Sequence, residues 1–212
     1  MITHFLIFPL FVWGAIVIGS ALFGVGLAGL LEGLFSGDKR KLGILGMETS
    51  GKTYFLNILR NKRVIETATG REVRDAFKLR LANGKVITIE KGYDTGGAKE
   101  FMTFYKETIN SSDVLFYFFD INKYFNDLVY QRDCNSRFFF IDNERYNKDT
   151  QSKKGVIVVA THRDKCSLSD SEINKKFTSV VGNKTYKEMI KNVVFINLTD
   201  NKATNEFINK AF

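Results

Sequence analysis

The longest apolar run of the chain lies at its start. Phe5–Leu31 holds no charged residue, and the run reaches Phe35 with only Glu32 interrupting it. About 20 apolar residues cross a bilayer, so this stretch predicts a transmembrane helix at Trp13–Phe35, with Phe11 and Trp13 at one interface. Beyond it the pattern changes to short elements. Lys41–Leu45 is a brief apolar run, as in a buried strand, and Lys52–Asn61 places Phe55, Leu56 and Leu59 on one helical face. Lys62–Glu72 is polar and without period. Val73–Ala82 sets Phe77, Leu79 and Leu81 against Lys78 and Arg80, which predicts a strand, and Asn83-Gly84 is a two-residue hairpin signal. Lys85–Tyr93 returns as its partner through Val86, Ile87 and Ile89.

The second half repeats the alternation. Lys99–Asn110 reads as a helix, and Asp113–Asp120 as the fully apolar strand expected at the centre of a parallel sheet. A helical region covers Tyr124–Tyr130, Phe138, Phe139 and Phe140 are expected to pack on the sheet, and Asn143–Lys154 reads as a solvated loop. Gly155–Ala160 is another buried strand. Ser169 opens a helix running towards Val181, with Glu172 as its capping-box partner. Asn192–Asn197 is the last strand and Ala203–Phe212 the last helix. The sum is a doubly wound α/β sheet of about six mostly parallel strands with one antiparallel edge strand, preceded by one transmembrane helix. Residues 1–37 form the anchor and residues 38–212 one domain of ordinary size.

Charge sharpens the division. All 31 Lys and Arg, and all but Glu32 and Asp38 of the 23 acidic residues, lie from Lys39 onward. The domain is therefore more basic than the +8 of the whole chain. Lys39-Arg40-Lys41 directly follows the apolar run, which puts the domain in the cytoplasm and the N-terminus outside or in a lumen. A basic domain beside an anionic leaflet gains attraction there, and without a nucleic-acid motif no nucleic-acid partner is expected. Met1–His4 carries no Lys or Arg, unlike the start of a secretory signal peptide. Small residues recur every fourth position (Ala15, Gly19; Ser20, Gly24, Ala28), a spacing that suits close packing on a second membrane helix. Two cysteines, Cys134 and Cys166, imply no disulfide framework.

The chemistry is concentrated in Gly46-Met47-Glu48-Thr49-Ser50-Gly51-Lys52-Thr53, a complete G-x-x-x-x-G-K-[ST] loop. Its glycines let successive N–H groups face one phosphate chain. Lys52 supplies a point charge for the β- and γ-phosphates, and the Thr53 hydroxyl a Mg²⁺ ligand. The loop leaves a strand and opens a helix, so the phosphates also sit at a helix N-terminus. This makes the domain a P-loop NTPase. Asp94-Thr95-Gly96-Gly97 and Thr161-His162-Arg163-Asp164 each follow a predicted strand, at the end where ligands bind in such sheets.

This ordered set of three motifs resembles the Ras-like small GTPases, over roughly Lys41 to Phe212. Glu48 and the Asp94-x-Gly96-Gly97 pattern resemble the Arf-like branch. A span directly before such a domain is similar to the β-subunit of the signal-recognition-particle receptor. The resemblance implies guanine nucleotide (GTP/GDP) with Mg²⁺ as cofactors. It implies Thr53, Asp94 and a switch threonine, Thr69 or Thr67, around the metal. The Gly97 N–H would meet the γ-phosphate, beside Lys52 and Thr53 as the catalytic set. Thr161, His162 and Asp164 would read the base, Asp164 accepting from the paired donors that guanine has and adenine lacks. Asn197-Leu198-Thr199 would back the base.

Two departures change the expectation. His162 stands where the family has lysine, a form similar to that of the Roc domains of Roco proteins. Ala98 stands where many of these GTPases carry the glutamine that orients water, so hydrolysis is expected to be slow or to depend on a partner. Lys62–Glu72 sits where such a domain has a switch loop, and Arg71 and Arg74 lie close to it, as solvated residues or, alternatively, acting in cis. The reading is a membrane-anchored guanine-nucleotide switch that recruits an effector. The alternative is a constitutively GTP-bound scaffold subunit of a larger membrane complex.

Overall fold

The computed structural model describes residues 16–17, 38–62, 70–146, 155–191 and 193–212. In chain order these form β1 (Ile16–Val17), β2 (Lys39–Arg40), β3 (Leu42–Gly46), α1 (Lys52–Leu59), β4 (Arg71–Arg74), β5 (Phe77–Arg80), β6 (Val86–Ile89) and β7 (Gly92–Thr95). A 3₁₀ turn at Lys99–Phe104 leads into α2 (Tyr105–Ser111), followed by β8 (Val114–Asp120), α3 (Ile121–Asn126), α4 (Leu128–Tyr146) and β9 (Val156–Thr161). A second 3₁₀ turn, Arg163–Lys165, precedes α5 (Asp170–Val181), α6 (Lys187–Ile190), β10 (Val194–Phe195) and α7 (Asn201–Ala211).

The apolar strand β8 is buried at every position and has a parallel neighbour on each side, β3 and β9. The parallel sheet runs β1-β10-β9-β8-β3. Alternation along β8 divides the core in two. Val114, Phe116 and Phe118 face Phe55 and Leu59 of α1 and Phe207 of α7. Leu115, Tyr117 and Phe119 face Ile109 of α2, Phe138 of α4 and Phe177 of α5. Helices therefore cover both faces, as the sequence pattern predicts.

Beyond β3 the sheet continues in pieces. Lys39 and Arg40 pair in parallel with Thr88 and Ile89, and β7 then runs alongside β3 without a ladder. β5 and β4 lie antiparallel on β6 and β7, joined through the Asn83-Gly84 turn. Taken as interrupted strands, β2–β3, β4–β5 and β6–β7 complete the six expected, with the reversed one at the edge. The interruption has a visible cause. Arg74 is 2% exposed, and its Nη2 donates to Leu42 O and Glu90 O, each at 3.2 Å, spanning the gap where ladder bonds would lie. Burial pushes this guanidinium down to about 10. Arg71 is stacked between the Tyr93 and Phe104 rings, 4.0 Å from each, and paired with Glu107 at 2.6 Å. Neither arginine is the solvated residue expected.

Two further expectations are corrected. α4 extends to Tyr146, so Asn143–Tyr146 is helix rather than loop, and Arg145 is buried in it. Its guanidinium donates to the carbonyls of Ile109, Ser112, Asp113 and Gly155. Of the three adjacent phenylalanines only Phe138 is fully buried, while Phe139 is 49% exposed, because a helix turns successive side chains apart. Ile16–Val17 lies within the predicted span but is extended and pairs in parallel with Val194–Phe195. Two β-branched residues there cover an edge that β10 would otherwise leave open. The rest of the span and both switch threonines lie outside the described residues. Among the described residues no helix is long and apolar enough to cross a membrane. Both cysteines are free and buried.

Candidate functional site

The site lies at the C-terminal ends of β3, β7, β8 and β9. Gly46 closes β3 with φ +149°, and a Cβ there would sit 2.2 Å from Phe118 O, so only glycine lets the loop leave the sheet so close to β8. Thr49 is left-handed at φ 56°, and Lys123 Nζ donates to its hydroxyl at 2.8 Å. Ser50 Oγ donates to Met47 O at 2.7 Å and tightens the turn. Gly51 then opens α1, with Leu198 against it.

Lys52 is 5% exposed, and its Nζ donates to Met47 O at 2.6 Å. Burial lowers this ammonium to about 8, against the pull of Asp94. Thr53 Oγ1 donates to Asp94 Oδ2 at 3.3 Å. Asp94 Oδ1 is buried and accepts no hydrogen bond among the described residues. Burial raises the Asp94 carboxyl above its ordinary value. A half-satisfied buried carboxylate beside a hydroxyl is a hard-oxygen donor pair that fits Mg²⁺. Gly97 lies against the loop, where a Cβ would come within 2.3 Å of Glu48 N.

Thr161 joins the second half of the site to the first. Its Oγ1 donates to Ser50 O at 3.0 Å and lies 3.1 Å from Phe119 O. His162 is left-handed at φ 55°, and its Nδ1 lies 3.3 Å from Asp120 Oδ2. Burial lowers its imidazole below the ordinary value, while Asp120 pulls the other way. Asp164 is exposed in the following 3₁₀ turn. Arg163 N donates to Ile196 O at 3.4 Å, so this turn and the Asn197-Leu198-Thr199 loop are adjacent. The phosphate loop, Asp94, Gly97, Thr161 and Leu198 thus meet in one place, whereas Thr67 and Thr69 are outside the described residues.

Over 81% of its length the chain matches 95% of the Arl6 small GTPase of Trypanosoma brucei, solved with the nucleotide analogue GppNp, at a TM-score of 0.58 and 19% identity. The chain has the small-GTPase fold. No protein-family model and no curated protein sequence matches it. Against the small-GTPase fold several residues stand out that motif reading passed over. Arg137 of α4, 4% exposed, donates through Nη1 to Gly46 O (3.2 Å), Gly97 O (2.8 Å) and the Tyr105 hydroxyl (2.8 Å). Asp120 caps α3 through the Lys123 N–H at 3.0 Å and faces His162. An acid at the C-terminal end of an apolar parallel strand is a readable signal for Asp120. Arg137 announces itself only as a lone charge ahead of three phenylalanines. A cavity of about 420 Å³ opens beside Ala98, with Glu48, Thr49, Lys123, Asp133 and Arg137 in its lining. No glutamine or histidine lines it among the described residues.

Proposed function

We propose that this chain is an Arf-like guanine-nucleotide-binding protein, held by its apolar N-terminal segment at the cytoplasmic face of a membrane. There it recruits a protein partner, with slow or partner-dependent GTP hydrolysis. The observation that carries the reading is the meeting of the phosphate loop, the Thr53–Asp94 pair and the Thr161–Asp164 turn at one end of a small-GTPase sheet. Loop N–H groups and Lys52 hold the phosphates. Thr53 and Asp94 would hold Mg²⁺, which screens charge between the phosphates. Asp164 accepts from the guanine edge, and Thr161 keeps that turn in register with the loop. Ala98 offers only a methyl group to an attacking water, which supports slow turnover.

Titration of the full chain with fluorescent GDP, GTP and ATP, followed by phosphate release in the same sample, tests this. Tight guanine binding is expected, weakened by about two orders of magnitude or more in Asp164→Ala, which leaves the paired donors of the base without their acceptor. Equal affinity for ATP and GTP would sink the assignment of the base motif.

A second reading, a constitutively GTP-bound scaffold subunit, is supported by Ala98, which offers no side chain to orient an attacking water, and by the close seating of Gly97 on the loop. Multiple turnovers by the purified chain would argue against it.

A further inference from the structure

Arg137 is a buried charge beside the phosphate loop that the proposed function does not yet use. It projects from the middle of α4 to the start of the phosphate loop, where one nitrogen, Nη1, bonds Gly97 O and the Tyr105 hydroxyl at 2.8 Å each and shares a proton with the longer contact to Gly46 O at 3.2 Å. Two of these acceptors are the carbonyls of Gly46 and Gly97, which are far apart in sequence and face each other across the site. The Tyr105 hydroxyl completes the set, donating to Gly46 O at 3.0 Å while accepting from Arg137. From the other side, Gly96 N donates to Gly70 O at 2.8 Å. Gly97 is therefore held on both flanks and pressed on Met47 and Glu48, where even a methyl group would not fit. Charge-assisted hydrogen bonds in a buried setting are the strong ones, and they hold their acceptors to a narrow geometry.

We propose that Arg137 is a positioning residue that presets Gly97 for the terminal phosphate. It places the Gly97 backbone beside the phosphate loop, so preference for the triphosphate over the diphosphate is built into α4. This rests on the functional reading above, in which the Gly97 N–H meets the γ-phosphate.

The test measures GDP and GppNp affinities of the full chain, unaltered and as Arg137→Met, Arg137→Lys and Tyr105→Phe. Arg137→Met is expected to weaken GppNp by about tenfold or more, on the scale of one charge-assisted hydrogen bond, with GDP changed by about twofold at most. Arg137→Lys keeps a cationic nitrogen and should restore part of the ratio. Tyr105→Phe leaves the bond from Arg137 to Gly97 intact and should leave the ratio unmoved. An unchanged ratio in Arg137→Met, with both affinities falling alike or neither falling, overturns the inference: Arg137 would then only pack the loop. If Arg137→Met does not fold, a lowered ratio in Arg137→Lys beside an unmoved ratio in Tyr105→Phe supports it, and an unmoved ratio in both overturns it. Absence of guanine binding by the unaltered chain is a different result, which overturns the functional reading and this inference with it.

Discussion

Lys52 is a cation with almost no water around it. Burial lowers its ammonium to about 8, from an ordinary value near 10.4. The sign follows. Above pH 8 the folded chain has released this proton while the unfolded chain keeps it up to about 10.4, so stability measured without added nucleotide rises with pH through that window. Phosphates bind the protonated form, so nucleotide affinity should fall by about tenfold per pH unit above 8. Calorimetric titration with GDP at pH 7 and pH 8.8, in two buffers of different ionisation enthalpy, checks this. Proton uptake near zero at the lower pH and near one at the higher is the expected result. Motif spacing was enough to find Lys52, Thr53 and Asp94, because a phosphate loop and a D-x-G-G turn are local. Arg137 and Arg74 were beyond reach, because each earns its place from carbonyls about 40 or 30 residues away that no spacing announces.

Among the elements, the clearest agreement between sequence and structure is α5. Ser169 Oγ accepts from the Glu172 N–H, and the Glu172 carboxylate accepts from the Ser169 N–H at 2.8 Å, a complete reciprocal cap. Ser169→Ala should cost about 1 kcal/mol of stability, read as a lowered urea midpoint at unchanged slope. A change below about 0.3 kcal/mol would mean that the packing of Ile173 and Phe177 alone sets this helix start. Capping chemistry is legible because it needs only four residues. α4 was not legible beyond its start, because its polar and apolar residues are scattered round the helix and one of its buried positions is the arginine at 145. The break between β2 and β3 was hidden for a related reason. The sequence pattern reports which face is apolar, not whether a guanidinium has replaced part of a ladder.

For the whole molecule, the open matter is the first 37 residues. A span across Trp13–Phe35 and a strand at Ile16–Val17 are exclusive conformations of the same residues, one requiring lipid and the other the edge of β10. The proposed anchor makes a direct prediction. In a membrane fraction the full chain should resist alkaline carbonate and be released by detergent, as an integral span is. Release by carbonate would favour the docked strand and a peripheral protein. The fold as a whole was readable because β8 and β9 are continuous apolar runs and α1, α5 and α7 are amphipathic.

Arg145 adds a mechanical consequence. Its guanidinium ties the end of α2 to the residues leading into β8 and β9, at the pole of the sheet opposite the phosphate loop. Lys41 and Asp113 clasp the start of β3 there through bonds of 2.8 Å in both directions. The sheet is thus a beam pinned at both ends, by Arg145 at its root and by Arg137 at the working loops. Whatever lands on those loops has to work against the Arg137 clamp, while the root stays where Arg145 has riveted it.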